Sequence, residues 1–199
     1  MTLDATQVKH AIGRVCSGLH AAASELNALD GRLGDGDLGA TLEKCAIEVE
    51  AALPHMTDTL TDVFRRAAIG CANASGSSFG TLLAQALLTA AKQTDQAVEL
   101  TREDVVSLIR RITDVLSARG GAKLGDKTVL DALHAVGDAL EAAAAGDAWQ
   151  GVACSAIEQT LSAFRGRPNR IGRARMFAER SLGQDDPGMV ALLRIAQSV

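Results

Sequence analysis

The sequence contains no tyrosine, and aromatic residues of all kinds make up only 3% of its 199 residues. Alanine and leucine supply the apolar positions instead, and these residues favour helices over sheets. Hydrophobic residues account for 47% and charged residues for 22%, a balance typical of globular rather than disordered proteins. The length suits one domain, residues 1–199, and no segment suggests a linker or a second domain.

Long runs of lysine or arginine are also missing, and the formal net charge is −4. This charge pattern argues against binding to duplex nucleic acid, which requires a concentrated basic surface. No uninterrupted apolar stretch reaches the roughly 18 residues that a membrane span requires. Residues Met1 to His10 lack the apolar segment of a secretory signal. We therefore expect no nucleic-acid partner and no membrane segment.

The cysteines are widely scattered and include no C-x-x-C pair. They are Cys16, Cys45, Cys71 and Cys154. This spacing favours buried thiols in a reducing compartment over a zinc site or a disulfide framework. It predicts a cytoplasmic protein.

Apolar residues recur at steps of three and four along most of the chain, the pattern of amphipathic helices. The first such series is Val8, Ile12, Val15, Leu19, Ala22 and Leu26. Segments rich in glycine or containing proline separate the series, and no segment alternates convincingly as a strand. The pattern predicts an all-α fold of about eight antiparallel helices with functional loops between them.

An acidic, glycine-rich loop is expected from Leu29 to Gly39, after the first helix. Asp30, Asp35 and Asp37 lie within this loop. Three crowded carboxylates repel one another, and their hard oxygen atoms suit Mg²⁺, so the loop indicates a metal site. A solvated turn rich in Asp and Gly is the alternative that the spacing alone leaves open.

Two familiar loop motifs are excluded. Counted from Asp35, an EF-hand would require glycine and glutamate where Ala40 and Ala46 stand. The segment Gly120 to Thr128 looks like a phosphate-binding loop, but Asp126 interrupts the required G-K-T sequence. We expect Asp126 to cap the following helix instead.

Small residues from Asn73 to Ser78 precede another predicted helix. Such a segment either presents N–H groups to an anion or allows tight helix packing, and on its own it favours packing. Arginines are concentrated between Phe164 and Ser181: they are Arg165, Arg167, Arg170, Arg173, Arg175 and Arg180. One of them could hold a phosphate bidentately, whereas most are expected to be solvated or paired with carboxylates.

Four motifs together resemble the L subunit, or C-terminal domain, of the dihydroxyacetone kinase family (DhaL-type nucleotide-binding domains). In sequence order they are Gly34-Asp35-Gly36-Asp37-x-Gly39, Ala74-Ser75-Gly76, Gly120-Gly121-Ala122-Lys123-x-Gly125-Asp126-Lys127-Thr128 and Glu179-Arg180-Ser181-x-Gly183-x-x-Asp186-Pro187-Gly188. They span most of the chain in the family's order. The resemblance implies an antiparallel helical barrel that holds a nucleotide and two Mg²⁺ ions at one end.

The resemblance also implies roles for individual residues. The Mg²⁺ ligands would be Asp30, Asp35 and Asp37. The phosphates of ADP or ATP would lie against Leu38, Gly39, Ala40, Thr41, Ala74 and Ser75, and the base and ribose against Gly120 and Val129. The phosphate-contacting catalytic arginine would be Arg173, and the segment closing the site would be Asp186, Pro187 and Gly188.

The implied activity is phosphoryl transfer from a Mg²⁺-bound nucleotide to a small ketose, by positioning and charge neutralisation. No residue of the sequence suggests a sugar site. In the family a separate K subunit holds the ketose, so we expect activity only with that partner. The resemblance also allows a homodimer, and it places the chain in glycerol metabolism.

The phosphoryl donor stays open. In one branch of the family an M subunit of the phosphotransferase system recharges bound ADP, and in the other branch ATP exchanges freely. Leu38 stands where many phosphotransferase-dependent members have histidine, which favours the ATP-using branch, and Met176 replaces a frequent tyrosine. Two alternatives for the whole protein are a kinase subunit for a different small ketose and a nucleotide-binding regulatory module.

Overall fold

The computed structural model describes residues 2–74 and 76–199, without the side chains of Arg173 and Phe177. This part of the chain forms eight α-helices. In chain order they are α1 (Ala5–Leu33), α2 (Leu38–Ala52), α3 (Leu60–Ala74), α4 (Ser78–Gln93), α5 (Arg102–Gly120), α6 (Val129–Ala142), α7 (Trp149–Phe164) and α8 (Pro187–Ser198). Each helix packs against the next, and α8 packs against α1, so the helices form a closed ring. The predicted all-α antiparallel barrel is confirmed.

The antiparallel order brings alternate connections to the same end of the barrel. The connections α1–α2, α3–α4, α5–α6 and α7–α8 therefore form one end, which we call the site end. The longest of them, residues 165–186, contains two short 3-10 helices, Arg173–Phe177 and Glu179–Ser181. At the opposite end, strands β1 (Leu3–Asp4) and β2 (Glu99–Leu100) pair antiparallel. Their two-residue length explains why the sequence shows no strand pattern.

The helix boundaries follow local signals at most positions. Thr101 is the N-cap of α5 and forms a capping box in which it exchanges hydrogen bonds with Asp104. A 3-10 helix, Leu53–His55, extends the end of α2. The four cysteines are free thiols, and Cys16, Cys45 and Cys71 are buried as expected, whereas Cys154 is only half-buried. Among the described residues, no helix combines the length and the apolar character that crossing a membrane requires.

Alanine and leucine dominate the barrel core, and two glycines allow its helices to approach closely. A Cβ atom added to Gly39 would overlap the carbonyl oxygen of Ala23 in α1. A Cβ atom added to Gly70 would lie 3.1 Å from backbone atoms of Glu48 and Val49 in α2. Helix α3 continues through Asn73 and Ala74, the first two residues of the small-residue segment.

The start of α6 differs from the prediction. Thr128, rather than Asp126, is the N-cap, and its side chain forms a capping box with Asp131. The Asp126 carboxylate instead accepts a hydrogen bond from the N–H of Lys123 within the loop, at 2.8 Å. Asp126 is too far from the first helical turn in sequence to reach it, because two residues intervene before Val129.

Candidate functional site

The three predicted metal ligands lie where α1 gives way to α2. Asp30 belongs to the last turn of α1 rather than to a loop, because the helix continues to Leu33. Leu33 is only 2% exposed, and its burial outweighs the helix-breaking tendency of Gly31. Asp35 and Asp37 follow in the short connection to α2.

The structure brings these three carboxylates together. One oxygen atom from each of Asp30, Asp35 and Asp37 lies within 4.8 Å of the others, and we call this group the acidic cluster. Oδ2 of Asp30 accepts hydrogen bonds from the N–H groups of Gly36 at 2.9 Å and Asp37 at 3.0 Å. Gly36 has a φ of 76°, a left-handed conformation that glycine adopts without strain. The connection thus folds back around the Asp30 side chain.

Asp37 occupies the N-cap of α2 without capping it. Its carboxylate makes no hydrogen bond to the helix N–H groups, whereas Asp4 and Asp186 cap α1 and α8 with their side chains. The N–H of Ala40 instead donates to Oδ1 of Asn27, at 3.0 Å. The Asp37 carboxylate is consequently directed to the acidic cluster, whose all-oxygen donors fit a hard cation such as Mg²⁺.

The first turn of α2 adjoins the acidic cluster. The side chains of Leu38 and Thr41 are buried, and Gly39 packs against α1. The segment therefore meets solvent mainly through its backbone. Its first N–H groups have no acceptor within the helix, and the helix dipole adds positive potential there. An anion held near the cluster would meet this helix terminus.

The α3–α4 connection lies at the same end. Ala74 is the half-buried last residue of α3, while Ser75 falls outside the described residues. Ser77 is the N-cap of α4, and its hydroxyl accepts a hydrogen bond from the N–H of Gly80 at 3.3 Å. This connection therefore presents a second helix N-terminus at the site end.

The starts of α4, α6 and α8 converge. A Cβ atom added to Gly188 would lie 3.1 Å from Cε2 of Phe79 and 3.6 Å from Cβ of Val129. Gly120 is the exposed last residue of α5, next to the loop that leads to Val129. The structure thus brings Val129 and Gly188 together. Gly120 ends α5, the helix that precedes Val129 in the chain.

The predicted closing segment forms the beginning of α8. Pro187 is its first residue, and the Asp186 side chain caps the helix by accepting from the N–H of Met189 at 2.9 Å. The other Asp186 oxygen accepts from Nδ2 of Asn169 at 2.8 Å. Burial raises the pKa of Asp186 to about 6, although these hydrogen bonds and the charge of Lys127 oppose the shift. The carboxylate is therefore part of the protein's internal hydrogen bonding.

Arg173, the predicted catalytic residue, begins a 3-10 helix whose backbone lies against α1. Its side chain lies outside the described residues, so its role stays a prediction. Sequence analysis also missed three residues that organise the site end, namely Asn27, Lys127 and Asn169. Lys127 belongs to the G-D-K-T motif, which is the one signal that the sequence offered for it.

Comparisons with known proteins agree with this architecture. The family model of the DAK2 domain matches residues 32–199. The chain is 28% identical to the PEP-dependent dihydroxyacetone kinase, ADP-binding subunit DhaL, of Escherichia coli (strain K12), over 99% of this chain and 96% of that protein. It is 30% identical to the PTS-dependent dihydroxyacetone kinase, ADP-binding subunit DhaL, of Lactococcus lactis, over 82% of this chain and 79% of that protein.

Longer proteins are similar over one part only. The chain is 31% identical to the D-erythrulose kinase of Mycolicibacterium smegmatis and covers 34% of its length. The crystal structure of the dihydroxyacetone kinase of C. freundii superposes with a TM-score of 0.77 at 24% identity, over 97% of this chain and 34% of that one. A second structure of that kinase, in complex with AMP-PNP and Mg²⁺, gives a TM-score of 0.75. These likenesses establish the same fold, and the match over residues 32–199 shows that the chain belongs to the DAK2 domain family.

Proposed function

We propose that this chain is the ADP- or ATP-binding phosphoryl-transfer subunit of a dihydroxyacetone-type kinase, with residues 1–199 forming one nucleotide-binding domain. The observation that carries the proposal is the acidic cluster at the N-terminus of α2, in a member of the DAK2 domain family. Relatives that match along most of their length are named ADP-binding subunits of dihydroxyacetone kinases.

Two Mg²⁺ ions would be held by the carboxylates of Asp30, Asp35 and Asp37. These ions would balance the negative charge of the nucleotide phosphates. Convergence within 4.8 Å is unfavourable for three bare carboxylates and favourable once a divalent cation joins them. When bound, Mg²⁺ neutralises the charge that develops on the phosphate oxygens. The Asp30 side chain contributes in a second way, because its hydrogen bonds to Gly36 and Asp37 shape the connection.

The nucleotide is held by the loops and helix termini of the site end. The backbone of Leu38, Gly39, Ala40 and Thr41 adjoins the phosphates, together with Ala74 and Ser75. Gly120 and Val129 line the base and ribose, and the segment Asp186, Pro187 and Gly188 closes the site. The contact of Gly188 with Phe79 and Val129 supports this grouping, since it joins three of the four connections.

Arg173 serves as the catalytic residue by contacting a phosphate and offsetting the charge that develops on it during transfer. Support for this role comes from the backbone, because the 3-10 helix that begins at Arg173 lies against α1, which carries Asp30. A guanidinium suits the task because it binds phosphate oxygens bidentately.

The ketose is held by a separate K subunit, and the two subunits together form the kinase. The match to a separate subunit supports this division, since the chain aligns with nearly all of the E. coli ADP-binding subunit. Leu38, next to the acidic cluster, favours ATP as donor over an M subunit of the phosphotransferase system. The free thiols fit a cytoplasmic location, and a homodimer is compatible with the proposal.

Calorimetric titration with ADP and with ATP, in Mg²⁺ and then in excess chelator, tests nucleotide binding. Tight Mg²⁺-dependent binding of ADP indicates a resident coenzyme and a phosphotransferase donor, and weaker binding that favours ATP indicates direct use of ATP. Failure of the folded protein to bind either nucleotide, with the K subunit also present, contradicts the proposal. Turnover of dihydroxyacetone with the K subunit then separates a kinase from a purely regulatory nucleotide-binding module.

A further inference from the structure

The connection between α7 and α8 has a closed base, and its middle lies against α1. We call residues 165–170 and 181–186 its neck, and residues 171–180 its head. The head contains the 3-10 helix Arg173–Phe177. The two sides of the neck are joined directly, because the N–H of Gly183 donates to the carbonyl of Arg165 at 2.8 Å.

A buried lysine from another connection binds both sides of the neck. Lys127 is 1% exposed, and its Nζ donates to the carbonyl oxygens of Arg167 and Ser181, each at 2.8 Å. A longer contact of 3.4 Å reaches the carbonyl of Arg165. These three acceptors match the three N–H bonds of an ammonium group. Lys127 also has a φ of 62°, which is uncommon for a residue with a side chain.

Asn169 completes the attachment from the side of the neck. Its Nδ2 donates to the carbonyl of Lys127 and to Oδ2 of Asp186, each at 2.8 Å. Its N–H donates to Oγ of Ser181 at 2.9 Å. Both Nδ2 partners are acceptors, so the orientation of the amide is fixed. The neck is thereby bound to the α5–α6 connection through groups that are almost fully buried.

The neck determines where the head lies relative to the acidic cluster. The 3-10 helix of the head lies against α1, and the side chain of Gln184 in the neck accepts a hydrogen bond from Arg32 at 3.2 Å. Arg32 is two residues beyond Asp30 on the same helix. A shift of the neck would therefore move the head relative to the helix that carries Asp30.

We propose that Lys127 is a positioning residue for phosphoryl transfer, which holds the neck so that the head presents Arg173 to the nucleotide phosphates. The inference rests on the proposed function, because it assigns Lys127 a role in that reaction. Lys127 itself does not touch the substrate, since its ammonium group is enclosed by main-chain carbonyls. Its effect is exerted through the backbone of the neck.

The test is the variant Lys127→Met, which keeps the length and volume of the side chain and removes its three donors. Lys92→Met is the matched control, because Lys92 is exposed in the last turn of α4, at the opposite end of the barrel. Each protein is digested with trypsin under native conditions, and the first cleavage sites are identified by mass spectrometry. The head supplies Arg173, Arg175 and Arg180 as sites. Binding of Mg²⁺–ADP and turnover with the K subunit are measured on the same samples.

We expect Lys127→Met to speed cleavage within the head and to lower kcat by roughly 10–100-fold. The dissociation constant of Mg²⁺–ADP should change little, because the acidic cluster is untouched. Lys92→Met should resemble the wild type in all three measurements. Unchanged kcat in Lys127→Met, or a head as resistant to trypsin as in the wild type, overturns the inference.

A second variant covers the case in which Lys127→Met does not fold. Asn169→Ala removes the two Nδ2 hydrogen bonds that the neck makes. This variant should also lower kcat while changing the dissociation constant of Mg²⁺–ADP little. Equal losses of kcat and affinity in Asn169→Ala would also overturn the inference. If the wild-type protein itself shows no nucleotide binding or turnover, the proposed function fails, and the trypsin comparison still reports whether Lys127 orders the head.

Discussion

Oδ1 of Asn27 accepts a hydrogen bond from the N–H of Ala40 over 3.0 Å, which joins the body of α1 to the third residue of α2. The acidic cluster lies on the chain between these two residues. Asn27 therefore provides the acceptor that the Asp37 side chain does not provide. The site end thus separates two tasks that one N-cap carboxylate usually combines, which are capping the helix and carrying the charge.

This relationship predicts the effect of Asn27→Ala. The variant should lose about 1 kcal/mol of stability, because the N–H of Ala40 loses its acceptor. It should also bind Mg²⁺ more weakly, since the first turn of α2 loses one of its attachments to α1. Urea denaturation and calorimetric titration with Mg²⁺ measure the two effects. Gln93→Ala, at an exposed position at the far end of α4, is the control, and an unaltered Mg²⁺ affinity in Asn27→Ala would show that the bond only stabilises the fold.

The acidic cluster predicts that Asp35→Asn and Asp37→Asn each abolish Mg²⁺-dependent nucleotide binding. Neither side chain belongs to the core, so the helicity measured by circular dichroism should survive. Thermal unfolding of Asp37→Asn without Mg²⁺ should be unchanged or shifted upward, because one of three repelling charges is gone. Asp95→Asn, an exposed change at the other end of the barrel, serves as control. Wild-type affinity in either cluster variant would remove that residue from the ligand set.

Arg173→Ala should slow phosphoryl transfer more than it weakens nucleotide binding, if the guanidinium acts mainly on the transition state. The comparison requires kcat with the K subunit and the dissociation constant of Mg²⁺–ADP for each protein. Arg175→Ala is a close control, since Arg175 is exposed in the same 3-10 helix. Equal losses of kcat and affinity would make Arg173 a ground-state contact.

The contact between α1 and α2 predicts that Gly39→Ala is strongly destabilising, by about 1–3 kcal/mol or more. The added methyl group would overlap the carbonyl of Ala23, so the helices would have to separate beside the acidic cluster. Gly151→Ala provides the opposite control, because its Cβ meets nothing within 4 Å in helix α7. That control should gain about 0.5–1 kcal/mol from helix propensity. Chemical denaturation measures the free energy of unfolding of both variants. Equal values for the two variants would contradict the packing argument.

Asp186 predicts a pH dependence of stability with a defined sign. Burial raises its pKa to about 6, so the folded protein holds this proton more tightly than the unfolded chain does. The resulting stabilisation is complete below about pH 4 and is lost as the pH rises through about 6, a change of about 3 kcal/mol at most. Denaturation of the wild type and of Asp186→Asn between these pH values measures it. The advantage of the wild type over the variant should shrink with rising pH, and a constant difference would contradict the assignment.

The sequence predicted the helices well because each one carries its own apolar periodicity, whereas the barrel was implied by the family resemblance. It misplaced the helix ends at Asp30 and Ala74 for a common reason. Gly31 and Gly70 are unfavourable in helices, yet the burial of Leu33 and the packing of Gly70 on α2 keep both segments helical. Glycine destabilises a helix interior by only about 1 kcal/mol relative to alanine, and tertiary packing can exceed this cost.

The acidic cluster was predictable because Asp30, Asp35 and Asp37 all lie within one short segment of the sequence. The attachment of the neck was not predictable. Lys127, Asn169 and Asp186 are distant in sequence, and a buried lysine is a rare exception to the usual exposure of this residue type. Only the fold brings their donors and acceptors together.

The closed ring of helices also has a kinetic consequence. Seven of the eight contacts between neighbouring helices join segments consecutive in the chain, so they can form while the ribosome is still elongating it. The contact between α1 and α8 is the exception, and it waits until the last helix has been synthesised. Nascent chains should therefore remain open along one seam between α1 and α7, and the nucleotide pocket should be completed only once α8 packs against α1.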